Sequence, residues 1–125
     1  MERVEELMTA HKYCSSANDG ILKISQQMTD KNCSEIIVVN DEKRPVGIIT
    51  EHDITIECSK GINPLKLKAV DCMKKVPVVI PHGMYIEDCL LLLEQKNLKI
   101  APVVDDNGAF CGMIELSDMV KLFND

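Results

Sequence analysis

Ile21, Ile24 and Met28 fall three and four residues apart, and Ile86, Cys89, Leu90 and Leu93 draw the same stripe, so both stretches predict amphipathic helices. Each helix opens after a polar break, Asn18-Asp19-Gly20 or Pro81-His82-Gly83. Each stops at a Lys-Asn pair, residues 31–32 and 96–97, where Asn accepts the left-handed conformation of a helix end. Short apolar runs follow at 36–39 and 100–104 and predict buried strands. Polar turns at 40–43 and 105–108 lead into second strands at 45–49 and 110–114, and final helices open at Thr50 and Glu115. Extended stretches at 12–15 and 77–80 precede the first helices. The order β-α-β-β-α therefore occurs twice.

The two copies are related by a shift of 65 positions, with no gap from Met8 to Asp53. Met8 falls on Met73, Ile21 on Ile86, Val38-Val39 on Val103-Val104, Gly47 on Gly112 and Asp53 on Asp118. A repeat should be read before anything else. It sets the expected domains at 1–62 (core 7–58) and 63–125 (core 70–123). A unit of roughly 60 residues buries too little surface to be comfortable alone. The expected fold class is therefore α/β (α+β): two pseudo-twofold-related repeats with helices on one face of each sheet, packed sheet to sheet.

Composition narrows the function. A net charge of −6 argues against nucleic-acid binding, which needs a basic face. Basic residues cluster only at 60–68 and at Lys74-Lys75, a stretch that reads as a solvated linker between the repeats, with a binding patch for a polyanionic ligand as the alternative. No apolar run is long enough for a membrane span, and the acidic start lacks signal-peptide character, so a cytoplasmic location is expected. The six cysteines are spread singly. In the repeat register Cys14 meets Val79, Cys33 Leu98, Cys58 Phe123, Cys72 Leu7, Cys89 Ile24 and Cys111 Val46. Each replaces an apolar residue, which is the use of Cys as a small buried hydrophobe, and neither zinc nor a disulfide framework is expected.

Gly47-Ile48-Ile49-Thr50-Glu51-His52-Asp53 is the strongest local signal, echoed by Gly112-Met113-Ile114-Glu115-Leu116-Ser117-Asp118. Gly permits close approach to the strand. Thr50 stands where free amides favour an anion, and Asp53 offers two acceptor oxygens suited to a vicinal diol. The same Thr-x-x-Asp spacing also fits a helix capping box. No nucleophile–base pair, metal triad or Gly-rich phosphate loop is present, so an enzyme is not expected.

These segments, with the Val-Val-Asn/Asp strand ends and the Lys-Asn helix ends, resemble a tandem pair of CBS domains (a Bateman module) over residues 4–123. The resemblance implies a regulatory module that binds AMP, ADP, ATP, S-adenosylmethionine or NAD(H), with no other cofactor, in clefts between its repeats. It implies one site of Ile48, Thr50, His52 and Asp53 walled by Val78, Ile100 and Ala101. A second would use Met113, Ser117 and Asp118 walled by Cys14, Ile36 and Ile37. Glu115 in place of Thr50 adds a carboxylate, so unequal sites are expected, with the Thr50/Asp53 site preferred by nucleotides. Homodimerisation and an effector protein are the implied partners. Candidate docking surfaces are Val4-Leu7-Met8, Ile54-Thr55-Ile56 and Met119-Val120-Leu122-Phe123. The alternative is a structural dimerisation module with vestigial clefts.

Overall fold

The computed structural model describes residues 2–10 and 13–124; Lys12, heading the first expected strand, lies outside the described residues. The chain divides into two compact units, Tyr13–Val76 and Met1–Lys12 with Pro77–Asp125. We name them the Asp53 unit and the Asp118 unit.

The Asp53 unit runs β1 (Cys14–Ser16), α1 (Ile21–Lys31), β2 (Glu35–Val39), β3 (Pro45–Thr50), α2 (Glu51–Ser59), a 3-10 turn (Pro64–Lys66), α3 (Ala69–Cys72) and β4 (Lys74–Lys75). Its sheet is ordered β1-β2-β3-β4; β1 and β2 are parallel and the other pairs antiparallel. The apolar stripe of α1 buries Ile21, Ile24 and Met28 against Ile36, Val38 and Ile49, with Leu67, Ala69 and Cys72 completing the core. Each large aliphatic side chain removed from water contributes about 1.5–3 kcal/mol. Ile37 and Val39 alternate to the opposite face of the sheet, as strand geometry requires. α1 ends at Asn32 with φ 52°, the left-handed cap expected there.

The Asp118 unit begins with a 3-10 turn (Val4–Glu6) and continues with β5 (Ile80–Pro81), α4 (Ile86–Gln95), β6 (Ile100–Val104), β7 (Phe110–Glu115) and α5 (Leu116–Lys121). Its sheet is ordered β5-β6-β7. Ile86, Cys89 and Leu93 of α4 bury against Ala101, Val103 and Ile114, closed by Val4, Ile80 and Met119. The repeat holds down to irregularities. The β2–β3 and β6–β7 ladders break register at the same place, between Val38/Val39 and Val103/Val104. In the first hairpin turn Asn40 Oδ1 accepts from the Glu42 and Arg44 amides; in the second Asp105 Oδ1 accepts from Asn107 and Ala109. Lys43 and Gly108 share the left-handed position, at φ 65° and 83°. Among the described residues no helix is long and apolar enough to cross a membrane.

By their contacts, residues 3–9 pack with the second repeat and 63–76 with the first. Three expectations change. The supposed linker is therefore structure, because Leu67, Ala69 and Cys72 are apolar at spacings that bury all three. The expected strand at 77–80 contracts to Ile80–Pro81, since Pro77 cannot donate to a ladder and only Ile80 and Pro81 pair with β6. Of the candidate docking surfaces, Val4-Leu7-Met8 is consumed internally, with Val4 fully buried and Leu7 and Met8 packed on the same core. Ile56, Leu122 and Phe123 stay exposed. The cysteines follow the register in part: Cys72 and Cys89 are buried, and burial pushes each thiol up to about 11, while Cys14, Cys33, Cys58 and Cys111 are half-buried.

Candidate functional site

Two strand-to-helix junctions carry the candidate chemistry, and they are built differently. In the Asp53 unit Thr50 is the N-cap of α2, in extended conformation. Its Oγ1 accepts from the Asp53 amide at 3.1 Å, while Asp53 Oδ2 accepts from the Thr50 amide at 3.0 Å. The capping box that the spacing allowed is thus formed. It spends one of the two carboxylate oxygens.

The other oxygen, Oδ1, faces Lys74 Nζ at 3.4 Å. Lys74 reaches it because β4 lies beside β3, with Lys74 opposite Ile48 and Lys75 opposite Gly47. The partners differ sharply in exposure: the Asp53 side chain is 5% accessible and that of Lys74 72%. Burial pushes the Asp53 carboxyl up, but hydrogen bonds from the Thr50 backbone and side chain, with Lys74, outweigh it and hold the pKa below the ordinary value. An ion pair whose cation stands in water contributes no more than about 1 kcal/mol. Lys74 is therefore a weakly held occupant of Oδ1.

The glycine of this segment serves the protein itself. A Cβ on Gly47 would lie 2.5 Å from Met73 Sδ and 3.2 Å from the Lys74 carbonyl oxygen. A Cβ on Gly112 would lie 2.8 Å from Met8 Sδ and 2.8 Å from the Thr9 carbonyl oxygen. The close approach inferred from sequence is real, but a methionine thioether and an adjoining backbone make it.

At the second junction Glu115 is the N-cap of α5 and makes no side-chain cap. Asp118 is half-buried, and among the described residues its carboxylate has no hydrogen bond or ion pair. Thr9 stands where Lys74 stands in the other unit: its amide donates to the Met113 carbonyl at 2.9 Å and its carbonyl accepts from the Met113 amide at 3.0 Å.

The remaining expected site residues are distributed by unit. Cys14, Ile37 and Ile48 stand in one row across β1, β2 and β3, a row that Lys74 extends on β4. Ile36 points instead into the core beneath α1, as Ala101 does in the Asp118 unit, leaving their backbone for any ligand. His52 is exposed and has no side-chain partner among the described residues. Val78, Ile100, Ala101, Met113, Ser117 and Asp118 all belong to the Asp118 unit; Met113 is buried and Ser117 exposed. Lys74 was legible as part of a basic patch, but its place beside Asp53 was missed. Its signal lay in the register, where Met8-Thr9 becomes Met73-Lys74 and a neutral residue turns basic beside the repeated spacing. Among the described residues no group of three His, Cys, Asp or Glu side chains could hold a metal ion.

The model of the CBS domain matches the chain twice, at residues 4–60 and 68–125. An uncharacterized protein of Methanopyrus kandleri is 29% identical over 86% of this chain and 55% of its own length. A homoserine O-acetyltransferase of Methanococcus vannielii is also 29% identical, over 94% of this chain but 24% of its own length. The chain thus spans about half of the first relative and a quarter of the second. Among solved structures, CBSX2 of Arabidopsis thaliana in complex with AMP superposes with a TM-score of 0.79 at 18% identity, covering 98% of this chain and 96% of that one.

Proposed function

The chain belongs to the CBS-domain family, carrying the domain twice, and from that premise we propose that it is a regulatory module that binds an adenosine derivative at its strand-to-helix junctions and reports occupancy to a partner. The state of Asp53 carries this reading. The carboxylate is buried and kept ionised by Thr50, yet its second oxygen is closed only by a solvent-exposed ammonium. A ribose diol can take that place, because O–H donors to a carboxylate make strong, short hydrogen bonds. Support also comes from CBSX2, a protein of the same fold described in complex with AMP. In the longer acetyltransferase relative the matching stretch is a minor part of the chain, which suits an accessory rather than a catalytic role. On this reading the module acts in the cytoplasm as a homodimer that signals to an effector protein.

A second reading has a specific observation in its favour. Asp53 already satisfies both oxygens internally, and Glu115 places a carboxylate at the other junction. A module so arranged would serve as a dimerisation element with empty junctions.

The experiment is a thermal-shift panel with AMP, ADP, ATP, S-adenosylmethionine and NADH, repeated on Asp53→Asn. Asn keeps an acceptor for the Thr50 amide, so the cap survives while the charge is lost. A ligand at about 100 times its Kd adds about 2.7 kcal/mol, several degrees for a domain this size. A shift with one compound that disappears in Asp53→Asn supports sensing. No shift with any of the five favours the structural module.

A further inference from the structure

The two junctions differ in charge. Thr50 corresponds to Glu115 and Lys74 to Thr9, so the Asp118 junction is more negative by one unit at each position, two in all. Both differences bear on the same acid: Thr50 caps the helix that carries Asp53, and Lys74 touches Asp53 directly.

We propose that Lys74 is the specificity-determining residue of the Asp53 junction, selecting a phosphorylated adenosine ligand over its unphosphorylated nucleoside, while Thr9 and Glu115 turn the Asp118 junction against phosphate. The inference rests on the adenosine-binding reading above and names the ligand class for each junction. The ribose hydroxyls must donate to Asp53 Oδ1, the oxygen that Lys74 faces at 3.4 Å. A nucleoside therefore competes with the ammonium and offers it nothing in return. A nucleotide displaces the same ammonium and then re-pairs it with its phosphate. Lys74 can follow because its side chain is 72% exposed on the two-residue strand β4, with a flexible stem and three donors. At the other junction an arriving phosphate meets Glu115, exposed and uncapped, and uncharged Thr9 stands opposite Met113.

One substitution should move the two ligands in opposite directions. Lys74→Thr, which installs the residue of the sister repeat, is expected to weaken AMP about fivefold and to tighten adenosine about twofold, the scale of one exposed ion pair. Titrations with AMP and with adenosine, followed at the Thr50 and Asp53 amide resonances, read this junction alone. Lys74→Arg, which keeps the charge, should retain the preference for AMP. Raising the salt should shrink that preference in wild type but not in Lys74→Thr. Should Lys74→Thr unfold, Lys74→Gln, which keeps a long side chain without charge, carries the same expectation. Equal weakening of both ligands, or no change in either, overturns the role of Lys74 while leaving adenosine binding intact. If neither compound moves these resonances in wild type, the adenosine-binding reading itself fails and this inference falls with it.

Discussion

Replacing each glycine of the matched pair by alanine measures what the close approach is worth. At Gly47 the new Cβ would lie 2.5 Å from Met73 Sδ and 3.1 Å from its Cγ, against a comfortable carbon contact of about 3.5–4.0 Å. Met73 is a flexible side chain and can swing away. The overpacking should cost about 1–3 kcal/mol, less about 0.5–1 kcal/mol regained because alanine loses less backbone freedom on folding. A net loss of about 0–2 kcal/mol is expected. At Gly112 the obstacle includes the Thr9 carbonyl oxygen at 2.8 Å, a backbone atom that accepts from the Met113 amide on a residue whose own amide donates to the Met113 carbonyl. Relief there would also strain those bonds, each worth about 1 kcal/mol, so Gly112→Ala should cost about 2–4 kcal/mol. Urea unfolding followed by circular dichroism compares the two. Met73→Ala should relieve Gly47→Ala by about 1 kcal/mol in a double-mutant cycle, whereas Met8→Ala should relieve Gly112→Ala only in part. If Gly47→Ala proves the more damaging, or if removing Met73 brings no relief, the packing account is wrong.

Lys43 occupies a left-handed position that the sister turn gives to Gly108; Lys43→Gly should stabilise by about 0.5–1 kcal/mol in urea unfolding, since that conformation costs an L-residue about 1–2 kcal/mol. Asp53 has a lowered pKa, so its contribution is complete above the ordinary value of 3.8 and lost as pH falls through the lower folded value. Acid unfolding of wild type should therefore steepen below about pH 4, and Asp53→Asn should flatten that limb. His82 is bonded to Glu5 through Nδ1 and to Asp106 through Nε2, which raise its pKa. The clasp is complete below 6.5 and weakens as pH rises through the folded value. Exchange protection of the Val4 and Glu5 amides, after correction for intrinsic rate, should fall from about pH 6 to about pH 8 in wild type and stay flat in His82→Gln. Cys72 and Cys89, with thiols near 11, should resist a disulfide reagent at mildly alkaline pH until the protein is unfolded.

Local chemistry made most of the fold legible. The stripe of α1 and the Asn32 and Asn97 caps are decided within a few residues, and the hairpins carry their own turn chemistry, so 100–104 was placed to the residue. The site was legible in part. Thr50 and Asp53 announced a junction, yet spacing alone could not separate capping from binding, because the same oxygens serve both. Gly47, Met73 and their partners Gly112 and Met8 were visible as matched positions, but their contact was not, since it joins residues 26 or 104 apart in the chain. The contact of Lys74 with Asp53 was hidden for the same reason. Only the pairing of β4 with β3 brings it to Asp53, and a two-residue strand leaves no periodic mark.

The crossing of residues 3–9 and 69–75 into each other's units has a topological consequence. A cut between 62 and 63 yields two fragments, each holding a scaffold without its closing segment and a closing segment without its scaffold. Neither half is a self-sufficient piece of protein.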